Sequence, residues 1–162
     1  MKQIPLTKGK IALVDDADFE WLSQWRWCYN SRGYAARGQR VGPRILNKTK
    51  TVLMHREVLG ISGEEFSDTN VDHKNRDRLD NRRENLRICT DADNRANSGR
   101  RSDNTSGYKG VFRKRTGWQA QVKKGGKSVF CKTFRTPEEA ARAYDEVAKK
   151  LFGEFANLNF PE

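Results

Sequence analysis

Asp72 and His73 stand side by side in "VDHKNRDRLDNRRENLRICT", Val71–Thr90, and His73 is one of only two histidines in the chain. Hydrolysis of a phosphodiester needs a base to activate water, a cation to stabilise charge on the phosphate, and a group that holds the base in place. His73 is the nearby side chain that takes a proton close to neutral pH unaided. Asp72 offers hard carboxylate oxygens suited to Mg2+, which binds through one or two protein groups and completes its shell with water and phosphate oxygens. Asn85 follows His73 by 12 residues and Asn94 follows it by 21. Alone, His73 reads as a turn histidine. An Asp-His pair with two spaced asparagines in an Arg- and Asn-rich run, too polar to fill a core, reads as a surface built for a polyanion. Neighbours on a regular strand point to opposite faces, so joint action on one phosphate requires a bend or a strand end at 72–73.

The elements that must carry these residues can be read on either side. Asn70 to Asn97 predicts a strand, a long polar loop, a short strand over Leu86–Cys89 and a helix with Thr90 as N-cap and Asp93 at N3. Packed on itself, that unit can bring Asp72, His73, Asn85 and Asn94 together. Upstream, "IPLTKGKIALVD", "WRWCYNS", "GYAARG" and "ILNKTKTVLMHREVLG" predict strands, with short helices near Asp16–Gln24 and His55–Leu59. Trp21, Trp25 and Trp27 are the expected core of this half.

"ANSGRRSDNTSGYKG", from Ala96, has the composition of a linker. Beyond it, three alternating runs broken at Thr116-Gly117 and Gly125-Gly126 predict a three-stranded antiparallel sheet, with Val111, Trp118, Ala120, Val122, Val129, Cys131 and Phe134 supplying buried faces. Phe112 and Phe130 fit either the core or a wedge against DNA sugars. "TPEEAARAYDEVAKKLFG" then predicts one amphipathic helix, capped by Thr136, Pro137 and Glu139 and stopped by Gly153.

The chain of 162 residues carries 32 Lys plus Arg against 21 Asp plus Glu, a net charge of +11. That balance favours a polyanionic partner. Between Lys109 and Arg135 nine basic residues and no acidic one fall on the predicted sheet, so a positive face follows. The hydrophobic share of 35%, below the roughly 45–50% of ordinary globular chains, suits two small cores. No apolar run reaches the ~18 residues of a membrane span, and the first residues lack a signal-peptide core. Three separated cysteines make no CxxC pair, which argues against a structural zinc or a disulfide framework. A soluble protein of a reducing compartment is expected, with no membrane or small-molecule role.

Two family resemblances follow from these residues. "MHREVLG", "VDHKNRDRLDNRRENLRICT" and "DADNRAN", over about 52–97, resemble the HNH (ββα-metal) nuclease motif in the variety carried by homing endonucleases of phages and mobile elements. The resemblance implies His73 as general base, Asn85 as the residue orienting it, and Asp72 and Asn94 as ligands of Mg2+, with Mn2+ as a possible substitute. Asn81, Arg82, Arg83 and Arg87 fall where backbone or phosphate contacts are useful, and His55 is given a structural or phosphate-contact part. The cysteine pairs of zinc-holding relatives are absent. "SGYKGVFRKRTGWQAQVK" through "ANLNF", over about 106–160, resembles the Apetala-type (AP2/ERF) DNA-binding domain. That resemblance implies DNA contacts from Lys109, Lys114, Gln121 and Lys123. Phe112, Ser128 and Phe130 depart from the Arg, Arg and Trp of plant members.

The expected fold is α+β: a β-rich lead-in and ββα-metal nuclease module in 1–100, a linker at 101–107, and a sheet-plus-helix DNA-binding domain in 108–160. The expected function is a Mg2+-dependent endonuclease acting on double-stranded DNA, nicking as a monomer rather than a dimer, in the cytoplasm of a bacterial or phage-infected cell. The alternative is a non-catalytic DNA-binding regulator that retains a decayed nuclease segment.

Overall fold

Alternation and capping place the elements of the computed structural model, which describes residues 1–43, 48–61 and 69–161. The fold is α+β, in two compact units, Met1–Cys89 and Thr90–Glu162.

In the first unit β1 (Lys2–Pro5) and β2 (Ile11–Val14) form an antiparallel hairpin, followed by α1 (Asp16–Ser23). A second sheet has the order β3 (Cys28–Tyr29), β4 (Ala35–Arg40), β5 (Thr49–Leu53), and runs directly into the short α2 (Met54–Val58). A third sheet pairs β6 (Asn70–His73) with β7 (Leu86–Cys89). The core collects Ile4, Val14, Leu22, Trp27, Val52, Met54, Val58 and Leu86.

The edge of β2 holds the polar loop between β6 and β7, through Leu13 N donating to Leu79 O and Asn81 N donating to Leu13 O, both at 2.8 Å. The strand predicted from Ile45 is seen as β5; its leading residues, 45–47, lie outside the described residues. Trp25 departs from the expected core: it is 49% exposed, with the Arg37 guanidinium 4.3 Å from its ring centroid. Arg37 is itself buried and donates to Glu57 at 3.1 Å, so the flat ring finds a cation to cover rather than a core to enter.

The second unit begins with α3 (Asp91–Asn97), whose predicted capping box forms, Thr90 accepting from Asp93 N and Asp93 from Thr90 N. Next come β8 (Val111–Lys114), β9 (Gly117–Lys124) and β10 (Lys127–Phe134), antiparallel in the order β10-β9-β8. Then α4 (Pro137–Phe152) starts on the Thr136–Glu139 capping box and ends at Gly153. Val111, Ala120 and Val122 meet Ala140, Ala141, Tyr144, Ala148 and Phe152 in its core. At Gly110 (φ +72) a Cβ would collide with the Tyr144 ring, so only glycine lets β8 lie this close to α4.

Val129 and Cys131 were expected to face this core and do not; both are exposed. A register shift between Ser128 and Phe130 is the cause. One extra residue in a strand turns every later side chain to the other face, which brings Phe130 against the core instead, beside Phe134, which packs there as expected. This also settles the two phenylalanines: Phe130 packs inward and Phe112 stands 41% exposed. The tail "ANLNF" is locked by Asp145, a buried carboxylate accepting from Asn159 N at 2.9 Å and Phe160 N at 2.9 Å. Asn159 in turn accepts from Lys109 N at 2.6 Å.

Candidate active site

His73 is the last residue of β6, and both it and Asp72 are buried, at 4% and 6% exposure. The strand end that joint action of neighbours requires is therefore present. The chain turns at once: Arg76 N donates to His73 O at 2.8 Å, and Arg76 takes the left-handed φ of 66°.

Asn85 shapes this turn. Its side-chain oxygen accepts from Asn75 N at 3.0 Å, its amide donates to Asp80 O at 2.7 Å, and its own carbonyl accepts from Lys74 N at 2.9 Å. The amide that interacts with the His73 ring is that of Asn81, which is fully buried, donates to Leu79 O at 3.0 Å, and has a side-chain oxygen without a well-formed hydrogen bond. Burial pushes His73 below the ordinary imidazole value, against the pull of Asn81, Asp72, Asp77 and Asp80. A neutral ring at pH 7 is the form that accepts a proton.

Two further rings enclose it. His55, on α2, meets His73 edge-on with centroids 5.1 Å apart, and Tyr34 lies 5.0 Å from His55 and 5.9 Å from His73. His55 is 5% exposed, its Nδ1 is buried without a hydrogen-bond partner, and burial drives its pKa down to about 3. Tyr34 was missed in the sequence. It is set by a turn in which Asn30 accepts from both Arg32 N and Tyr34 N at 2.9 Å, and the Arg78 guanidinium stacks 4.8 Å from its ring. The "YNSRGY" turn chemistry was visible, but nothing in it pointed to a histidine beyond residue 50.

The three arginines are each held by carboxylates of the chain. Arg82 bonds both oxygens of Asp80, at 2.8 and 2.7 Å, and Glu84 at 2.6 Å. Arg83 bonds both oxygens of Asp18, at 2.8 and 2.7 Å. Arg87 bonds Asp72 Oδ2 through Nε at 2.9 Å and Nη2 at 2.7 Å. Asp18 and Asp80 are held below the usual carboxylate range by these partners.

Asn94 lies in the first turn of α3, in the second unit, so its place beside Asp72 rests on the sequence resemblance. Among the described residues no three His, Cys, Asp or Glu side chains cluster to hold a metal. Asp72 by itself, a single buried carboxylate, is a hard, ligand-poor donor set. That set fits an ion that keeps water and phosphate oxygens in its shell, and does not fit a zinc cage.

In the second unit Lys114 and Lys123 are exposed. Gln121, half-buried, donates to Ser128 Oγ at 3.3 Å. The Lys109 ammonium donates to the carbonyls at the end of α3, of Ala96 and, at 2.7 Å, of Ser98. Among the described residues no helix is long and apolar enough to cross a membrane.

Comparison with known proteins finds relatives for both halves of the chain. No solved structure matches the chain. The AP2/ERF-type relatives cover the C-terminal region: dehydration-responsive element-binding protein 2C of Arabidopsis thaliana is 45% identical over 58 residues, 34% of this chain and 17% of that protein. The AP2-like ethylene-responsive transcription factor TOE2 of the same plant is 45% identical over 58 residues, 35% of this chain and 12% of that protein. The HNH endonuclease family model matches residues 63–96, which take in Asp72, His73, Asn85 and Asn94. An uncharacterized HNH endonuclease of Acanthamoeba polyphaga mimivirus is 32% identical over 154 residues, 94% of this chain and 76% of that protein. With so much of both chains in register, and the Asp-His pair buried where β6 ends, this chain belongs to the HNH endonuclease family and is a metal-dependent nuclease.

Proposed function

We propose that the chain is a Mg2+-dependent endonuclease that nicks double-stranded DNA as a monomer and uses its AP2/ERF-type domain to hold the duplex. The observation that carries this reading is the burial of His73, neutral, beside Asp72 at the end of one strand. His73 takes the proton of the attacking water. His55, Tyr34 and Asn81 fix its ring, and Asn85 fixes the turn that follows it, which is how it orients the base. Asp72 and Asn94 hold the cation. When bound, Mg2+ supplies Lewis-acid stabilisation of the charge that develops on the phosphate.

Arg82, Arg83 and Arg87 are the proposed phosphate contacts near the cut, positioned in advance by Asp80, Asp18 and Asp72. Lys114, Gln121 and Lys123 are the proposed contacts of the second domain, with Lys109 beside them holding the end of α3. Residues 1–100 serve as the nuclease domain, 101–107 as linker and 108–160 as the DNA-binding domain. One motif per chain offers one cutting site, so a monomer leaves a nick. The setting that fits is the cytoplasm of a bacterial or phage-infected cell.

Supercoiled plasmid incubated with the protein and Mg2+ tests this. Nicked circles are expected from wild type only, blocked by chelator, with DNA bound equally by wild type and His73→Ala. Nicking by His73→Ala would remove His73 as the base. Wild type that binds but never nicks, even on its native locus, would return the chain to the regulator reading.

A further inference from the structure

The face of the β8–β10 sheet opposite α4 carries a pattern that charge alone does not explain. Register places Phe112, Gln119 and Thr133 in one row across the three strands, Gln121 opposite Cys131 in the next, and Lys123 opposite Ser128 beyond it. Lys114 stands at the other end of the face, in the pair with Gly117. The bond from Gln121 to Ser128 Oγ confirms that these side chains share one surface. The middle of the face is therefore uncharged and its ends are cationic.

Arg113 is the one arginine within the three strands, and it belongs to the other face, its guanidinium 4.9 Å from the Trp118 ring centroid. Guanine is most often read by a bidentate arginine, and adenine by a bidentate Gln or Asn at N6 and N7. On the central strand Gln119 and Gln121 are two residues apart, about 7 Å at a rise of ~3.4 Å per residue. That matches two base-pair steps of ~3.4 Å.

We propose that Gln119 and Gln121 read adenine in two A·T pairs two steps apart in the major groove, with Phe112 and the Thr133 methyl against thymine methyl groups. Lys114 and Lys123 flank these pairs on phosphates. The proposal rests on the reading that this sheet binds duplex DNA, and adds to it a base preference opposite to that of an arginine-bearing face.

The test is selection of duplexes from a random-sequence pool by the full-length protein, in chelator so that no strand is cut, at one fixed salt concentration. Wild type is expected to enrich A·T at two positions two base pairs apart. Gln119→Ala and Gln121→Ala should each erase one of these and weaken the selected site by about tenfold, more than they weaken unselected duplex. Gln121→Arg should exchange adenine for guanine at its position. All three changes are on the face of the sheet away from α4, at half-buried positions, and circular dichroism checks that the fold is kept. Enrichment of G·C by wild type, or unaltered selection by the alanine variants, would overturn the proposal. Duplex retained without any enrichment overturns it alone; no duplex retained overturns the duplex-binding reading as well.

Discussion

Asp72 and Arg87 face each other across β6 and β7, and one carboxylate oxygen, Asp72 Oδ2, accepts from both Nε and Nη2 of Arg87 at 2.9 and 2.7 Å. The side chains are 6% and 11% exposed, so the pair is buried. Removing one partner of such a buried pair costs about 3–5 kcal/mol. Arg87→Met is expected to lose stability of this order in urea. A divalent cation on Asp72 supplies the missing positive charge, so Mg2+ should raise the urea midpoint more in Arg87→Met than in wild type. An equal rise in both would mean that Asp72 does not hold the ion.

The two asparagines of the turn should separate in kinetics. Asn85 bonds Asn75 N and Asp80 O, whereas Asn81 interacts with the ring of His73. Asn85→Ala leaves the buried Asp80 carbonyl unpaired and frees the part-buried Asn75 N–H, a loss of about 1–3 kcal/mol. Its activity should fall together with thermal stability. Asn81→Ala should lower the turnover number with little change in apparent DNA affinity. If Asn81→Ala instead cuts at the wild-type rate, Asn81 does not position the ring.

Acid should act in two windows. His55 is buried neutral with its pKa near 3, while the unfolded chain binds the proton near 6.5. Between those values the unfolded state holds more protons, so stability is complete above about pH 6.5 and falls as pH drops toward 3, by roughly 1.4 kcal/mol per unit for one fully coupled proton. Asp18 and Asp80, held low by Arg83 and Arg82, contribute stability present above the unfolded carboxylate value and lost only as pH falls below it. Urea midpoints from pH 7 to 4.5 should decline in wild type and decline less in His55→Gln. An identical slope in both proteins would place the titration elsewhere.

What could be read in advance follows the range of each interaction. The helix α4 was legible because Thr136, Pro137, Glu139 and Gly153 act within one turn of themselves, and its capping box formed as expected. The Asp-His pair and the Thr90 cap were legible for the same reason. Trp25 was not, because its partner Arg37 comes from a strand 12 residues away, and an indole shows no sign in the sequence of which face will be covered. The single inserted residue near Val129 reversed the faces of β10 without leaving a glycine or proline to mark it. Tyr34 and His55 reach His73 only through three separate elements, so no spacing rule could group them. The carboxylate partner of Arg82, Asp80, lies two residues away, yet the Arg-rich run alone suggested phosphate contact rather than internal pairing; that of Arg87, Asp72, is 15 residues away on the paired strand.

Salt dependence separates the lysines of the proposed duplex face. Each phosphate contact releases counterions, so losing one lowers the slope of log affinity against log salt by about 1. Lys114 and Lys123 are exposed at the two ends of the sheet face. Lys114→Ala and Lys123→Ala should each show this change, weaken all duplex sequences alike, and leave the melting temperature in place. Lys109 differs, because its ammonium already donates to the carbonyls of Ala96 and Ser98 that end α3. Those carbonyls have no intrahelical donor and accept from Asn157 as well as from this ammonium, whose charge at the helix end contributes about 0.3–1 kcal/mol. Lys109→Met should therefore lower the melting temperature while changing the salt slope by much less than 1. A full unit of slope lost with Lys109, at unchanged stability, would show that DNA draws this ammonium away from α3.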